Sequence, residues 1–320
     1  RCPAMKFDVM KGGKFFHCQR QNAAIKLRIF PGKLEIDRAL IISRAIPLKD
    51  HAMPDLIFEK RGNIAHLTLN RPERRNTFSC EMMVQLAAAW HEIRDDRDLR
   101  VVLLTGAGSE AFCAGGDLKY FVPFLTGSRQ PETEYEHSIV DDMSQVLTAL
   151  LRPFEFYKPI VAAVNGDAIA GGMELLQATD IRFAADSARF GLAEAQRGLV
   201  PGGGSMTRLA RQIPWARAME VLLMGEAMSA KAALECGFVN YVVPQEQVLE
   251  RAEAFATRLA RNGPLALRKI KECVVRTSGL PISEAFAIED ALSAEVMMSK
   301  DAREGPRAFV EKREPRFTGE

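Results

Sequence analysis

Two apolar runs, "RVVLLTG" (100–106) and "PIVAAVNG" (159–166), constrain the fold most. Neither alternates polar with apolar residues, so each suits a strand buried on both faces, as in the sheets of α/β proteins. "IAHLTLN" (64–70) alternates well enough for a further strand, and Arg71-Pro72 stops it. "DIRFAADSARFG" reads as two short strands around a turn. Between them, "CEMMVQLAAAWHEI" puts Met83, Leu86, Ala87, Trp90 and Ile93 on one helical face, with Ser79 as its N-cap. After residue 244 the pattern is helical. Val248, Ala252, Phe255 and Leu259 form one stripe, Asn262-Gly263-Pro264 breaks it, and Leu267, Ile270 and Val274 begin another. The expectation is an α/β body over 53–244 and a helical region over 245–320.

Residues 1–52 stand apart. They hold 11 Lys and Arg against 4 Asp and Glu, so the +2 net charge of the 320 residues leaves −5 on the remainder. They show no sustained period, and Asp8 is the only acid among the first 34. This stretch is expected to be a non-domain extension, upstream or transit-like, with a fresh start at Met53. The acidic main body offers no general attraction for nucleic acid. No apolar run reaches the roughly 18 residues of a membrane span. The six cysteines, at 2, 18, 80, 113, 236 and 273, form no CxxC pair. That fits reduced thiols in the cytoplasm, or in the mitochondrial matrix if 1–52 include a transit peptide.

"VVLLTGAGSEA" matches a dinucleotide fingerprint at Gly106, Gly108 and Ala111. The helix this motif must open is interrupted at once by Phe112-Cys113-Ala114-Gly115-Gly116, and no strand with a ribose-binding acid follows. A Walker loop, GxSxG and HExxH are absent, and the five histidines lack metal-ligand spacing. Two Gly-Gly pairs remain. Gly115-Gly116 lies just after a buried strand and before "DLKYF", and Gly171-Gly172 follows "VNGDAIA" and opens the helix "MELLQA". Each pair serves either close packing or a main-chain approach to a ligand, where free N–H groups meet developing negative charge. Glu174 and Glu194 lie in equally unpolar settings. They are either ordinary helix-face charges or a pair of titratable groups placed for acid/base work.

"AFCAGGDLK" (111–119), "KPIVAAVNGDAIAGGMELLQATDIRFAADSARFGLAEAQRGLVPGGG" (158–204), "GFVNYVVP" (237–244) and "EGPRAFVEKREPRF" (304–317) resemble the crotonase superfamily, in particular enoyl-CoA hydratases. The similarity covers about 54–320. It implies a spiral of ββα repeats, the ClpP/crotonase fold, with a C-terminal helical region that forms trimers, often paired into hexamers. It also implies oxyanion N–H groups on Gly116 and Gly171, and Glu174 and Glu194 as the acid/base pair of hydration. Coenzyme A would arrive as part of the acyl-CoA substrate, with no separate cofactor and no metal. Arg74, Arg75 and Lys119 would grip its nucleotide, with Phe309 and Lys312 reaching a neighbouring subunit's. Asp117, Asp180 and Cys113 are expected to be structural. Met173, Ala193 and Ser205-Met206 depart from the familiar hydratases, and 121–157 is expected to wall the substrate. The alternatives are an isomerase or hydratase-lyase on an unusual acyl-CoA, and a non-catalytic binding or RNA-associated relative. The −5 charge of the main body argues against RNA, and the retained acids against loss of catalysis.

Overall fold

The computed structural model describes residues 53–152 and 154–320 and, before them, the backbone of four short strands. The chain divides into two units, Arg1–Ala52 and Met53–Glu320. In the first, β1 (Val9–Met10) pairs antiparallel with β2 (Gly13–Lys14), and β3 (Arg28–Phe30) with β4 (Lys33–Glu35). The extension expected over 1–52 otherwise lies outside the described residues.

The second unit opens with the hairpin β5 (Leu56–Arg61) and β6 (Ile64–Leu69). Three strand pairs follow: β7 (Val101–Gly106) with β8 (Ala111–Cys113), β9 (Ile160–Val164) with β10 (Asp167–Ile169), and β11 (Ile181–Ala185) with β12 (Arg189–Gly191). The first member of each pair joins a six-stranded sheet ordered β14-β11-β9-β7-β6-β5, where β14 is Tyr241–Val243. The second joins a four-stranded sheet ordered β13-β12-β10-β8, where β13 is Met228–Ser229. "DIRFAADSARFG" is therefore two strands around a turn, as its pattern predicts, but the strands part into different sheets instead of pairing as a hairpin.

The uniformly apolar runs are explained by this layering. Every residue of β7 and of β9 is buried. Helix Val248–Leu259 packs across β7, β9 and β11 through Val248, Ala252 and Ala256, three residues spaced by four. Phe255 lies at its edge, its ring 5.7 Å from that of Phe183.

Helix Cys80–Asp95 starts where Ser79 Oγ accepts from the Met82 N–H at 3.0 Å. The expected stripe of Met83, Leu86, Ala87, Trp90 and Ile93 is buried, and so are Met82 and Ala89. The buried face is wider than one stripe because helices Glu134–Asp141 and Ser144–Ala149 cover the far side. Trp90 joins the layers, donating from Nε1 to the Ala149 carbonyl at 3.0 Å. Its truncation to Ala would cost about 3–5 kcal/mol.

The break at 262–264 also holds. Helix Pro264–Thr277 begins on Pro264, at the first-turn position where a missing N–H costs nothing. Its apolar stripe faces outward, leaving Ile270 63% and Val274 65% exposed. Among the described residues, no helix is long and apolar enough to cross a membrane.

Candidate active site

The two Gly-Gly pairs meet. Gly115, after β8, has φ +91°, and a methyl group placed on it would lie 2.8 Å from the Ala170 Cβ and 3.3 Å from the Gly171 nitrogen. A methyl on Gly172 would strike the Cys113 carbonyl oxygen at 2.1 Å. Packing and turn geometry thus account for Gly115 and Gly172. The other member of each pair, Gly116 and Gly171, lines a cavity of about 340 Å³. Phe78 donates its N–H to the Gly115 carbonyl (2.8 Å) and accepts from the Asp117 N–H (3.0 Å). Among the described residues, no acceptor meets the N–H of Gly116 or of Gly171. Gly171 opens helix Gly171–Leu176, and the residue before it, Ala170, is strained at φ 52°, ψ −126°.

Glu174 stands in the first turn of that helix, buried, and Glu194 half-buried at the start of the turn Ala195–Arg197. Both line the same cavity, although 20 positions separate them. Glu174 Oε1 accepts from the Ser205 N–H at 3.2 Å. Burial raises its pKa, against the pull of the backbone donors Ser205 and Gly203. Glu194 Oε2 is buried without a hydrogen-bond partner among the described residues. Burial pushes its carboxyl up to about 7, and the negative charge of Glu174 adds to the rise.

The wall expected from 121–157 is present in part: Phe121, Val122, Leu125, Val146, Leu147 and Leu150 line the cavity. Asp117 Oδ1 accepts from the backbone of Lys119 (2.9 Å) and Tyr120 (3.2 Å), and Asp180 Oδ2 from that of Ile160 (2.7 Å). Cys113 is fully buried, and its thiol is pushed up to about 12, which leaves no thiolate at neutral pH. Among the described residues, no cluster of His, Cys, Asp and Glu could hold a metal ion.

The other expected binding residues lie outside the cavity lining. Arg74 is exposed on the turn Pro72–Arg74. Arg75 pairs with buried Asp167 at 2.8 Å, and Arg189 shares that carboxylate at 2.9 Å. Lys119 is exposed, its ammonium 5.1 Å from the Tyr120 ring centre. Phe309, 86% exposed, and Lys312, exposed with φ 54°, sit at the end of helix Lys300–Val310. Gly203 also faces the site, without a motif of its own in the sequence beyond the run Gly202-Gly203-Gly204: a methyl there would lie 2.7 Å from Glu174 Oε2.

Residues 59–320 match the family described as enoyl-CoA hydratase/isomerase. Enoyl-CoA hydratase EchA19 of Mycobacterium tuberculosis is 44% identical over 264 residues, spanning 82% of this chain and 96% of that protein. Carnitinyl-CoA dehydratase of Citrobacter koseri is 36% identical over 268 residues, 82% and 98% of the two chains. The crystal structure of an enoyl-CoA hydratase from Mycobacterium tuberculosis H37Rv superposes with a TM-score of 0.74 at 37% identity, covering 84% of this chain and all of that one. The sorting of successive strands into two sheets is thus the crotonase fold, and the chain belongs to the enoyl-CoA hydratase/isomerase family.

Proposed function

We propose that the protein is an enoyl-CoA hydratase, adding water across the C2=C3 double bond of a 2-enoyl-CoA thioester. One observation carries this reading. Two carboxyl groups with raised pKa share a single cavity with two N–H groups that lack acceptors among the described residues. Attack of water on C3 drives negative charge onto the thioester oxygen, where the N–H groups of Gly116 and Gly171 receive it, each worth a few kcal/mol. The differing surroundings of the two acids divide the labour. Glu174, whose Oε1 accepts from the Ser205 N–H, takes the proton from water. Glu194, whose Oε2 has no hydrogen-bond partner among the described residues and which is about half protonated near pH 7, delivers the proton to C2. A proton passing from Glu174 to Glu194 restores the pair.

Arg74 and Lys119 remain open to the phosphates of coenzyme A, whereas Arg75 would have to leave Asp167. Phe309 and Lys312, exposed at the far end of the chain, would serve a neighbouring copy. The outward stripe of Ile270 and Val274 suits a homo-oligomer, a trimer or dimer of trimers. The likeness to carnitinyl-CoA dehydratase favours one second reading, the same machinery run on a different acyl-CoA. Loss of the conjugated-thioester absorbance of crotonyl-CoA, and of longer 2-enoyl-CoAs, tests the assignment. Glu174→Gln should lower kcat by about 10²-fold or more with little change in KM. Undiminished turnover in that variant, or no hydration of any 2-enoyl-CoA, would sink it.

A further inference from the structure

We infer that Arg71, which lies outside the cavity, is a positioning residue that aims the Gly116 N–H; the inference rests on the oxyanion reading above. The segment 75–78 runs beside 114–117, joined by three backbone bonds: Ala114 N–H to Arg75 O (3.0 Å), Phe78 N–H to Gly115 O (2.8 Å) and Asp117 N–H to Phe78 O (3.0 Å). This ladder holds the residues on either side of Gly116 and leaves its own N–H without an acceptor among the described residues. Phe78 also reaches the second donor. A methyl on Gly171 would lie 3.0 Å from its ring, so Phe78 flanks Gly116 with its backbone and Gly171 with its side chain.

Arg71 ties the two rails of the ladder together. Its Nη1 donates to the Thr77 carbonyl (2.7 Å) and hydroxyl (3.2 Å), just before Phe78. Its Nη2 donates to Asp117 Oδ2 (3.3 Å), just after Gly116. Its Nε lies 3.4 Å from Asp55 Oδ2, and Asp55 in turn accepts from the Ser79 hydroxyl. The Arg71 side chain is 14% exposed, so water replaces few of these bonds. Only a planar fork can serve these acceptors at once; an ammonium or an apolar side chain cannot. Without it, two largely buried carboxylates lose their counter-charge and the rails are free to shift. A misplacement of about 1 Å in a catalytic donor can cost roughly 10²-fold in rate.

The test uses acetoacetyl-CoA, a 1,3-dicarbonyl thioester whose enolate absorbs in the near ultraviolet and is favoured by donors aimed at the thioester oxygen. Full-length wild-type protein should raise the bound enolate fraction. Arg71→Met should lower that fraction and drop kcat by about 10- to 10²-fold, with KM within about threefold per folded site. Asp117→Asn keeps the caps on Lys119 and Tyr120 but loses the charge pair, and should move both readouts the same way by less. If Arg71→Met does not fold, Asp117→Asn alone decides. A variant that binds enolate and turns over as wild type per folded molecule overturns the inference, however much its melting temperature falls. Enolate formation by the wild type without hydration would remove the hydratase assignment and leave Arg71 testable on the enolate signal. Neither enolate nor hydration in the wild type would remove both.

Discussion

Replacing Glu194 by Gln should make the protein more resistant to heat at pH 8 than at pH 5, relative to wild type. In the unfolded chain Glu194 ionises near 4.5, and in the folded protein near 7. Between those values the native state holds a proton that the unfolded state has released, so stability falls as pH rises through the window and levels off above it. Below about 4.5 both states are protonated and the group contributes nothing. A difference of this size corresponds to about 3 kcal/mol, reduced to about 2–3 kcal/mol because solvent reaches the half-buried carboxyl. For a folded unit of this length that is a shift of roughly 5–10 °C. Gln cannot ionise, so the variant lacks this slope. Its amide also meets a site where Oε2 has no partner, a cost independent of pH, so the informative quantity is how the difference between the two proteins changes. Glu174 is raised in the same direction and is common to both. Thermal unfolding by circular dichroism at pH 5, 6, 7 and 8 gives the measurement. A gap between variant and wild type that stays constant across this range would refute the placement of Glu194 in a desolvated site. The same substitution should lower kcat by at least about 10²-fold, so the pH-dependent stability penalty and the proton donor disappear together.

Other expectations follow from single contacts. Gly203→Ala would put a methyl 2.6 Å from Leu150 Cδ1 and 2.7 Å from Glu174 Oε2, so Glu174 must move; turnover should fall by about 10-fold or more, read with crotonyl-CoA. Gly172→Ala meets main chain at Cys113, which cannot swing away, and should destabilise by more than about 3 kcal/mol in urea unfolding. Val274→Glu, on the exposed stripe of helix Pro264–Thr277, should leave the fold intact but shift the molar mass by light scattering toward a monomer.

The parts of the fold that were legible in the sequence are those where local chemistry and tertiary demand agree. The β7 and β9 runs, the Ser79 cap and the Gly263-Pro264 break each carry their own signal, and the structure uses each as written. The division of β11 and β12 between two sheets has no local signature, because three residues of β12 look the same whether they fold back or cross over. The helix Pro264–Thr277 shows the opposite failure: its periodicity was plain, but periodicity says that a face is apolar, not what covers it.

The site divides along the same line. Its glycines and glutamates were visible as anomalies, acids without polar neighbours and paired residues without side chains. What turns them into chemistry is contact across long separations: Ser205 to Glu174, 31 positions apart, and Phe78 to Gly115 and Gly171. Each such contact restrains a group already suspected. A carboxyl oxygen without a partner is costly to bury, and so is an N–H without an acceptor. A chain that keeps both costs in one cavity loses stability there unless a ligand relieves them. A thioester oxygen that gains negative charge as water is split between the two acids relieves both at once, and more strongly in the transition state than in the ground state. The pH-dependent penalty at Glu194 and the unfilled donors at Gly116 and Gly171 are then two measures of the same preorganisation. Saturating the site with acetoacetyl-CoA should therefore raise the melting temperature of the wild type more than that of Arg71→Met, a comparison that needs no turnover. Equal stabilisation of the two proteins by the ligand would break the link between the unfilled donors and the chemistry.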